Sequence, residues 1–193
     1  NATRTLGDST EAAALTRDTY ERFPNNPLLG PRHDFTLIIT NQFCADLRIA
    51  GDYAQALSYE KESVERHIEV FGPAHTYTLR AMTNLAVDYR MIGDFVEALR
   101  VDEDIVQHWE DVGGTDKREL GARMNVARDL FGLGAYQAGL GVLERWQAEL
   151  NRRLEVRDRR VLLAGRTLGI LQRKAGRHAD AARTIRDKHK LTY

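Results

Sequence analysis

Histidines and carboxylates are the residue types in this chain that could bind a metal ion or transfer protons. The six histidines lie at positions 33, 67, 75, 108, 178 and 189. No two of them are four residues apart, the spacing with which one helix face offers two imidazoles to a metal ion. The carboxylates gather at 60–69 and 102–111 without a paired acid and base, so we interpret them as solvated helix faces. These residues predict neither a metal site nor an active site.

Two glycine-rich stretches, Gly132-Leu133-Gly134 and Gly139-Leu140-Gly141, are similar to pieces of a phosphate-binding loop. Such a loop needs a preceding β-strand, whereas both stretches lie in or beside a predicted turn between two helices. We therefore expect no nucleotide site here. The chain is predicted to be a non-enzymatic protein that needs no cofactor.

Arginines and asparagines offer the binding chemistry that this sequence does favour. A guanidinium matches a carboxylate with two parallel hydrogen bonds, and an amide can both donate to and accept from a peptide backbone. Helical spacing places one set of these residues on a common surface, which we predict to bind a peptide. The same spacing places apolar residues there as well, including Ile38 and Met124. The arginine and asparagine set is Asn41, Arg48, Arg80, Asn84, Arg90, Asn125, Arg128, Arg166 and Arg173.

These residues recur because the chain repeats itself with a period of about 42 residues. The stretch 78–99 has one similar copy N-terminal to it and two C-terminal to it. The glycine of each copy is Gly51, Gly93, Gly134 or Gly176. Before Gly93, apolar residues are spaced three and four apart, which predicts a helix, and glycine is suited to end it in a left-handed conformation. A second helical pattern follows, so each copy is predicted to be an antiparallel helix pair.

Small residues occupy two columns of the repeat, one in each helix. Facing small residues would let the paired helices approach closely. The first column is Cys44, Ala86, Ala127 and Gly169, and the second is Ala56, Ala98, Gly139 and Ala181.

The motifs GDYAQAL and GDFVEAL, with the helical pattern L-A-x-x-Y, resemble the tetratricopeptide repeat (TPR). The period and the linker FGPAHTYTL resemble the longer variety found in kinesin light chain, and NLAVDYR and VDED are similar to arrays attached to bacterial NB-ARC-type signalling NTPases. The resemblance covers about residues 33–190. It implies an all-α fold, a right-handed α-solenoid of antiparallel helix pairs, and an upstream NTPase domain in the same protein.

The domain organisation follows from these copies. Residues 1–32 are predicted to hold the second helix of a truncated preceding repeat and a Pro-rich linker, which implies a fragment of a longer protein. Residues 33–193 are predicted to form one continuous solenoid domain. Its four helix pairs lie at about 34–72, 76–113, 115–154 and 158–190. Asn1-Ala2 has the form of a purification-tag scar, and Thr115 or Asp116 is suited to cap the third repeat.

Composition excludes some partners. The charge is balanced, with 28 basic and 28 acidic residues, so nothing favours nucleic acid or a membrane. The single cysteine, Cys44, cannot form an internal disulfide and is predicted to be a packed thiol, which is typical of a cytoplasmic protein. His33 and His75 occupy equivalent linker positions, so we predict that each orders its turn by hydrogen bonding.

In a solenoid of this kind the first helix of each pair lines the concave face. The predicted surface contains no acidic residue, so we expect its ligand to be an acidic peptide or one that ends in a free carboxylate. Alternatively, Arg48 and Arg90 are fixed in ion pairs between repeats, with Asp46, Asp88, Glu60 or Asp102 as partners.

Two functions remain open from the sequence. The first is a protein-protein interaction module of a larger bacterial regulatory or signalling protein, whose groove binds a peptide or partner domain. The second is a structural scaffold or self-association array with no peptide ligand.

Overall fold

The computed structural model describes residues 9–111, 117–155 and 158–189. The predicted tag scar, the start of the truncated repeat and the caps at Thr115 and Asp116 lie outside these ranges. The described residues contain no β-strand, which confirms the all-α class. A short 3-10 helix, Phe23–Asn25, follows the first helix. The helices are α1 Ser9–Arg22, α2 Asp34–Ala50, α3 Tyr53–Phe71, α4 Thr76–Met91, α5 Phe95–Asp111, α6 Lys117–Gly132, α7 Tyr136–Arg153, α8 Arg159–Lys174 and α9 His178–His189.

The helices fall into two compact units, the first ending at Ile92 and the second beginning at Gly93. In the first unit α1 packs on α2, α2 on α3, and α3 on α4. In the second unit each helix from α5 to α9 packs on the next one along the chain. The division into four repeats within one continuous solenoid domain stays a prediction.

Helix α1 is held in place by aromatic stacking. The Tyr20 ring stacks on Phe43 of α2 with centroids 4.4 Å apart, and it meets the edge of Tyr59 of α3 at 5.5 Å. Offset and edge-to-face ring pairs of this kind stabilise a contact beyond the area they bury. The stacking therefore fixes α1 against the first helix pair.

The predicted left-handed turn is confirmed at all four equivalent glycines. Gly51, Gly93, Gly134 and Gly176 have φ between 76° and 85°, a conformation that other residues rarely adopt. Asp52, which follows Gly51, then caps α3 by accepting a hydrogen bond from the Gln55 amide at 3.2 Å. The Gly-Asp pair thus ends one helix and begins the next.

The linker histidines are helix caps, which confirms the predicted ordering role. His75 Nδ1 accepts a hydrogen bond from the Tyr77 amide at 3.2 Å, at the start of α4. Thr78 then donates its hydroxyl to the Gly72 carbonyl at 2.7 Å and closes the linker onto the helix. The same bonds occur one repeat earlier, Phe35 N–H to His33 Nδ1 at 3.2 Å and Thr36 Oγ1 to the Gly30 carbonyl at 2.7 Å.

The two small-residue columns are buried where the paired helices meet. Cys44 and Ala56 are both fully buried in the first unit, and burial together with the neighbouring Glu60 raises the pKa of the Cys44 thiol above its usual range. The prediction of a packed thiol is confirmed. In the second unit a Cβ atom on Gly139 would lie 3.1 Å from the Ala127 carbonyl oxygen. This spacing shows how closely α6 and α7 approach.

Gly139 and Gly141 provide a matched test of that approach, since both lie inside α7. A Cβ atom at Gly141 would contact nothing within 4 Å. We expect Gly141→Ala to stabilise the protein by about 0.5–1 kcal/mol through helix propensity. In Gly139→Ala the new methyl group would crowd the Ala127 carbonyl oxygen and cancel this stabilisation. We therefore expect Gly139→Ala to be at least about 1 kcal/mol less stable than Gly141→Ala. Urea unfolding of both variants measures the difference, and equal stabilities would contradict close packing at Gly139.

Candidate functional site

A cavity of about 690 Å³ in the first unit brings together four of the predicted binding residues. Its walls come from α1, α2 and α4, and one residue of α3 also lines it. The predicted residues are Asn41, Arg48, Arg80 and Asn84. None of the described residues that line this cavity is acidic.

Large apolar side chains form much of the wall and are open to solvent. Leu15 of α1, Phe35 and Ile38 of α2 and Tyr77 of α4 are between 42% and 59% exposed. Exposed apolar clusters of this kind are typical of binding surfaces. The sequence analysis identified Ile38 and missed the others, although Phe35 and Tyr77 share one repeat column, two residues after each capping histidine.

Arg48 is held in an ion pair at the edge of this cavity. Its Nη1 donates to both carboxylate oxygens of Asp88, at 2.9 and 3.0 Å, and lies 3.6 Å from Oε2 of Glu60. Its side chain is 14% exposed and both carboxylates are fully buried. The alternative prediction, an arginine fixed between successive repeats, is thus confirmed for Arg48. Arg90, its equivalent one repeat later, is half-buried and also engages in polar interactions.

Two buried carboxylates share this single guanidinium, so the cluster favours an extra proton. Burial raises the pKa of Glu60 from its ordinary 4.5 to about 7; Arg48 opposes this shift and the charge on Asp88 adds to it. Burial likewise raises the pKa of Asp88, against the opposing effect of Arg48. Cys44 and Asn84 are the other polar neighbours of Glu60.

A chain of hydrogen bonds runs under the cavity floor from α2 to α3. The Ser63 hydroxyl donates to Asn41 Oδ1 at 3.2 Å. His67, one turn further along α3, places Nδ1 2.7 Å from the Ser63 carbonyl oxygen. His67 is only 1% exposed, and burial lowers its pKa below the usual range.

Arg80 is the exposed cation of this cavity. It belongs to α4, and it has no ion-pair partner among the described residues. Asn84, one turn later on the same helix, is half-buried beside Glu60. Of the two arginines that line the cavity, Arg80 is therefore the one available to a ligand.

The predicted residues of the second unit are placed differently. Asn125 donates its amide to Asp102 at 3.4 Å, which leaves it partly engaged. A cavity of about 260 Å³ in this unit is lined by other residues, including Arg123 and Trp146. Met124, which the spacing also placed on the binding face, is instead buried in a core cluster with Leu120. The remaining predicted residues, Arg128, Arg166 and Arg173, are exposed.

The described ranges contain no group of three or more histidine, cysteine or acidic side chains that could hold a metal ion. None of the helices described combines the length and hydropathy that crossing a membrane requires.

The shared guanidinium predicts a specific pH dependence of stability. Between about pH 4.5 and 7 the folded protein holds a proton on Glu60 that the unfolded chain releases, so the contribution of Glu60 to stability falls as the pH rises through this window. The loss is complete above pH 7 and amounts to about 3 kcal/mol. We expect Glu60→Gln to match the parent near pH 4.5 and to exceed its stability by up to about 3 kcal/mol at pH 8. Parallel stability curves in urea unfolding would contradict the buried proton.

The Arg48–Asp88 pair predicts a second effect. Asp88→Asn should destabilise the protein by about 2–3 kcal/mol, less than for a buried charge left alone, because Glu60 can partly replace the lost carboxylate. The matched control is Asp18→Asn, which removes an exposed pair with Arg22 and should cost less than about 1 kcal/mol. Thermal melting measures both, and equal shifts in Tm would show that the buried pair contributes no more than a surface one.

Comparisons with known proteins agree with this architecture. Residues 35–111 match the model of the tetratricopeptide-repeat family. A protein of nearly identical TPR-like repeats, described as kinesin light chain from Podosopora anserina, has a TM-score of 0.82 at 17% identity, over 99% of this chain and 90% of that one. BtubC (BKLC) from P. vanneervenii gives 0.81 at 15% identity, over 98% and 75%.

A more distant likeness is to MamA 41-end from Desulfovibrio magneticus RS-1, with a TM-score of 0.61 at 18% identity, over 93% and 94% of the two chains. No curated protein matches the sequence. At 15–18% identity these likenesses show the fold alone. The described helices therefore share the fold of tetratricopeptide-repeat solenoids, and residues 35–111 match the model of that family.

Proposed function

We propose that this chain is a non-enzymatic interaction module whose first-unit cavity binds an extended peptide segment of a protein partner. Tetratricopeptide repeats are in general protein-interaction modules. The observation that carries the proposal is the cavity of about 690 Å³, which combines exposed apolar side chains with Arg80 and has no acidic residue among the described ones that line it. This lining complements a ligand that is apolar on one side and negatively charged at one point.

The ligand is inferred to carry one carboxylate rather than a run of acids. Arg48 is already neutralised by Asp88, so it adds little attraction for an anion. Arg80 is exposed and can form a bidentate pair with a carboxylate. The apolar wall then supplies most of the contact area, through Leu15, Phe35 and Tyr77.

The wider context remains a prediction from the resemblance. The resemblance predicts a larger bacterial regulatory or signalling protein with an upstream NTPase domain. The single cysteine, predicted to be a packed thiol, is what predicts the cytoplasm. Arg128, Arg166 and Arg173 are proposed to extend peptide binding in the second unit, since all three are exposed.

A scaffold without a peptide ligand is the second candidate. Two observations favour it: the Arg48–Asp88 pair joins successive repeats, and the exposed apolar side chains could equally be covered by a second copy of the chain. Sedimentation of the free protein separates the candidates. A dimer that buries these side chains would support the scaffold, and a monomer would support the peptide groove.

Selection of displayed random peptides against the folded chain tests the proposal directly. For a selected acidic peptide, Arg80→Gln should weaken binding about tenfold, the typical effect of losing one charge-assisted hydrogen-bond pair. Asn84→Ala should weaken it by a smaller factor. Arg100→Gln, which removes an exposed cation paired with Glu97 on α5, is the matched control and should leave the affinity unchanged.

Converting the carboxylate of the peptide to an amide should weaken binding to the parent protein by the same factor. It should not weaken binding to the Arg80→Gln variant any further. Equal affinities of the acidic and neutral peptides for the parent protein would refute the carboxylate contact. Recovery of no binding peptide at all would refute the groove.

A further inference from the structure

His67 is a polar residue of the cavity that the proposed function does not use. It comes from α3 and is only 1% exposed, yet it is one of the residues that line the cavity. Its ring packs against Phe71, one turn later on the same helix, with ring centroids 5.8 Å apart. Burying an imidazole beside a cavity costs folding free energy unless its ring nitrogens have hydrogen-bond partners.

One ring nitrogen has such a partner, and this contact determines the tautomer. Nδ1 lies 2.7 Å from the Ser63 carbonyl oxygen, which can only accept a hydrogen bond. Nδ1 therefore carries the proton. In the neutral ring Nε2 is then an acceptor, and it has no hydrogen-bond partner among the described residues.

The neighbouring amide of Asn41 is oriented by the same network. Its Oδ1 accepts the Ser63 hydroxyl proton at 3.2 Å, so its acceptor is occupied. Its Nδ2 remains as a donor on a residue that lines the cavity. The expectation that Asn41 would both donate to and accept from a peptide is thus only half met, and His67 supplies an acceptor on the same cavity.

We propose, on the basis of the peptide groove proposed above, that Asn41 and His67 form a subsite for an amide group, in which Asn41 Nδ2 donates to the amide oxygen and His67 Nε2 accepts the amide N–H. The amide is either a peptide bond of the bound chain or the carboxamide of an asparagine or glutamine side chain. A ligand that brings only a carbonyl or only a carboxylate leaves the His67 nitrogen unpaired.

The surroundings of His67 keep it neutral and accepting. Burial is the main cause of its lowered pKa, and the nearby Arg80 and His75 also disfavour a positive charge on the ring, against the Ser63 carbonyl, which favours it. At neutral pH the ring therefore remains an acceptor. Arg80 is left to meet the anionic group of the ligand, so the two residues recognise different parts of it.

This subsite belongs to one repeat and is not a property of the whole array. One repeat later the three positions are occupied by Thr83, Ile105 and Trp109, in place of Asn41, Ser63 and His67. Ile105 and Trp109 are buried and apolar, so they cannot form the hydrogen-bond chain. The subsite would therefore fix the register of a bound segment.

The first test needs no ligand. Long-range ¹H–¹⁵N spectra of the histidine rings at pH 7.5 should show the Nδ1-protonated tautomer for His67, identified by loss of its signals in His67→Phe. The Nε2-protonated tautomer would overturn the proposal, since the acceptor would be absent.

The second test uses two small amides as probes, followed by shifts of the Asn41 side-chain signals. N-acetyl-leucine N-methylamide represents the peptide bond and propionamide the carboxamide, and whichever binds more tightly identifies the source. N,N-dimethylpropionamide, which lacks an N–H, should bind at least about tenfold more weakly than propionamide. No shift with either amide, or equal shifts with the dimethyl control, would overturn the proposal.

Variants separate this subsite from the groove as a whole. His67→Phe keeps the aromatic packing and removes the acceptor, and Asn41→Leu removes the donor. Each should weaken a selected peptide about tenfold while Arg80→Gln still lowers the affinity of the variant further. Unchanged affinity in both variants, for a peptide that still depends on Arg80, would refute the subsite and leave the groove intact.

Discussion

The close approach of paired helices is the constraint on which this structure depends. Glycine at the turn reverses the chain, in two of the four turns an aspartate follows it and begins the next helix, and only small residues fit where the two helices then touch. A Cβ atom on Gly139 would lie only 3.1 Å from the Ala127 carbonyl oxygen, which is one sign of this close approach. Because backbones this close leave little room for side chains between them, larger residues are forced to the faces of each pair, where they either fill the core or line a surface.

Two arginines that enter the interior are each held by two carboxylates. Arg48 is shared by Asp88 and Glu60, and Arg123 is held between Glu110 and Glu119 and lies over the Trp146 ring, 3.7 Å from its centroid. Buried pairs of this kind carry a desolvation cost that offsets much of their attraction. A second consequence is that paired arginines are not available on the proposed binding surface. The net positive charge of the cavity is therefore smaller than the number of arginines lining it.

The selectivity proposed for the first-unit cavity depends on the residues that these ion pairs do not engage. Arg80 provides a charge, the exposed apolar side chains provide area, and the Asn41–Ser63–His67 chain provides a directed donor and acceptor. Hydrogen-bonding groups at the base of an apolar cavity raise the affinity of ligands that pair with them. They lower the affinity of ligands that leave them unpaired. The same fold could thus recognise different segments in different repeats through changes at a few positions.

The sequence by itself determined the helices, the glycine turns, the histidine caps and the small-residue columns, because each depends on residues within about one repeat of each other. It also placed Arg48 opposite an acidic partner as one of two alternatives. Only the tertiary structure decided between them, since pairing depends on which side chains of α2, α3 and α4 meet in space. His67 could not be predicted as a cavity residue, because it lies on a second helix and reaches the floor only through the packing of three helices. Met124 was wrongly placed on the surface for the same reason. Helical spacing predicts on which face of its helix a side chain lies, but the packing of neighbouring helices decides whether that face is exposed.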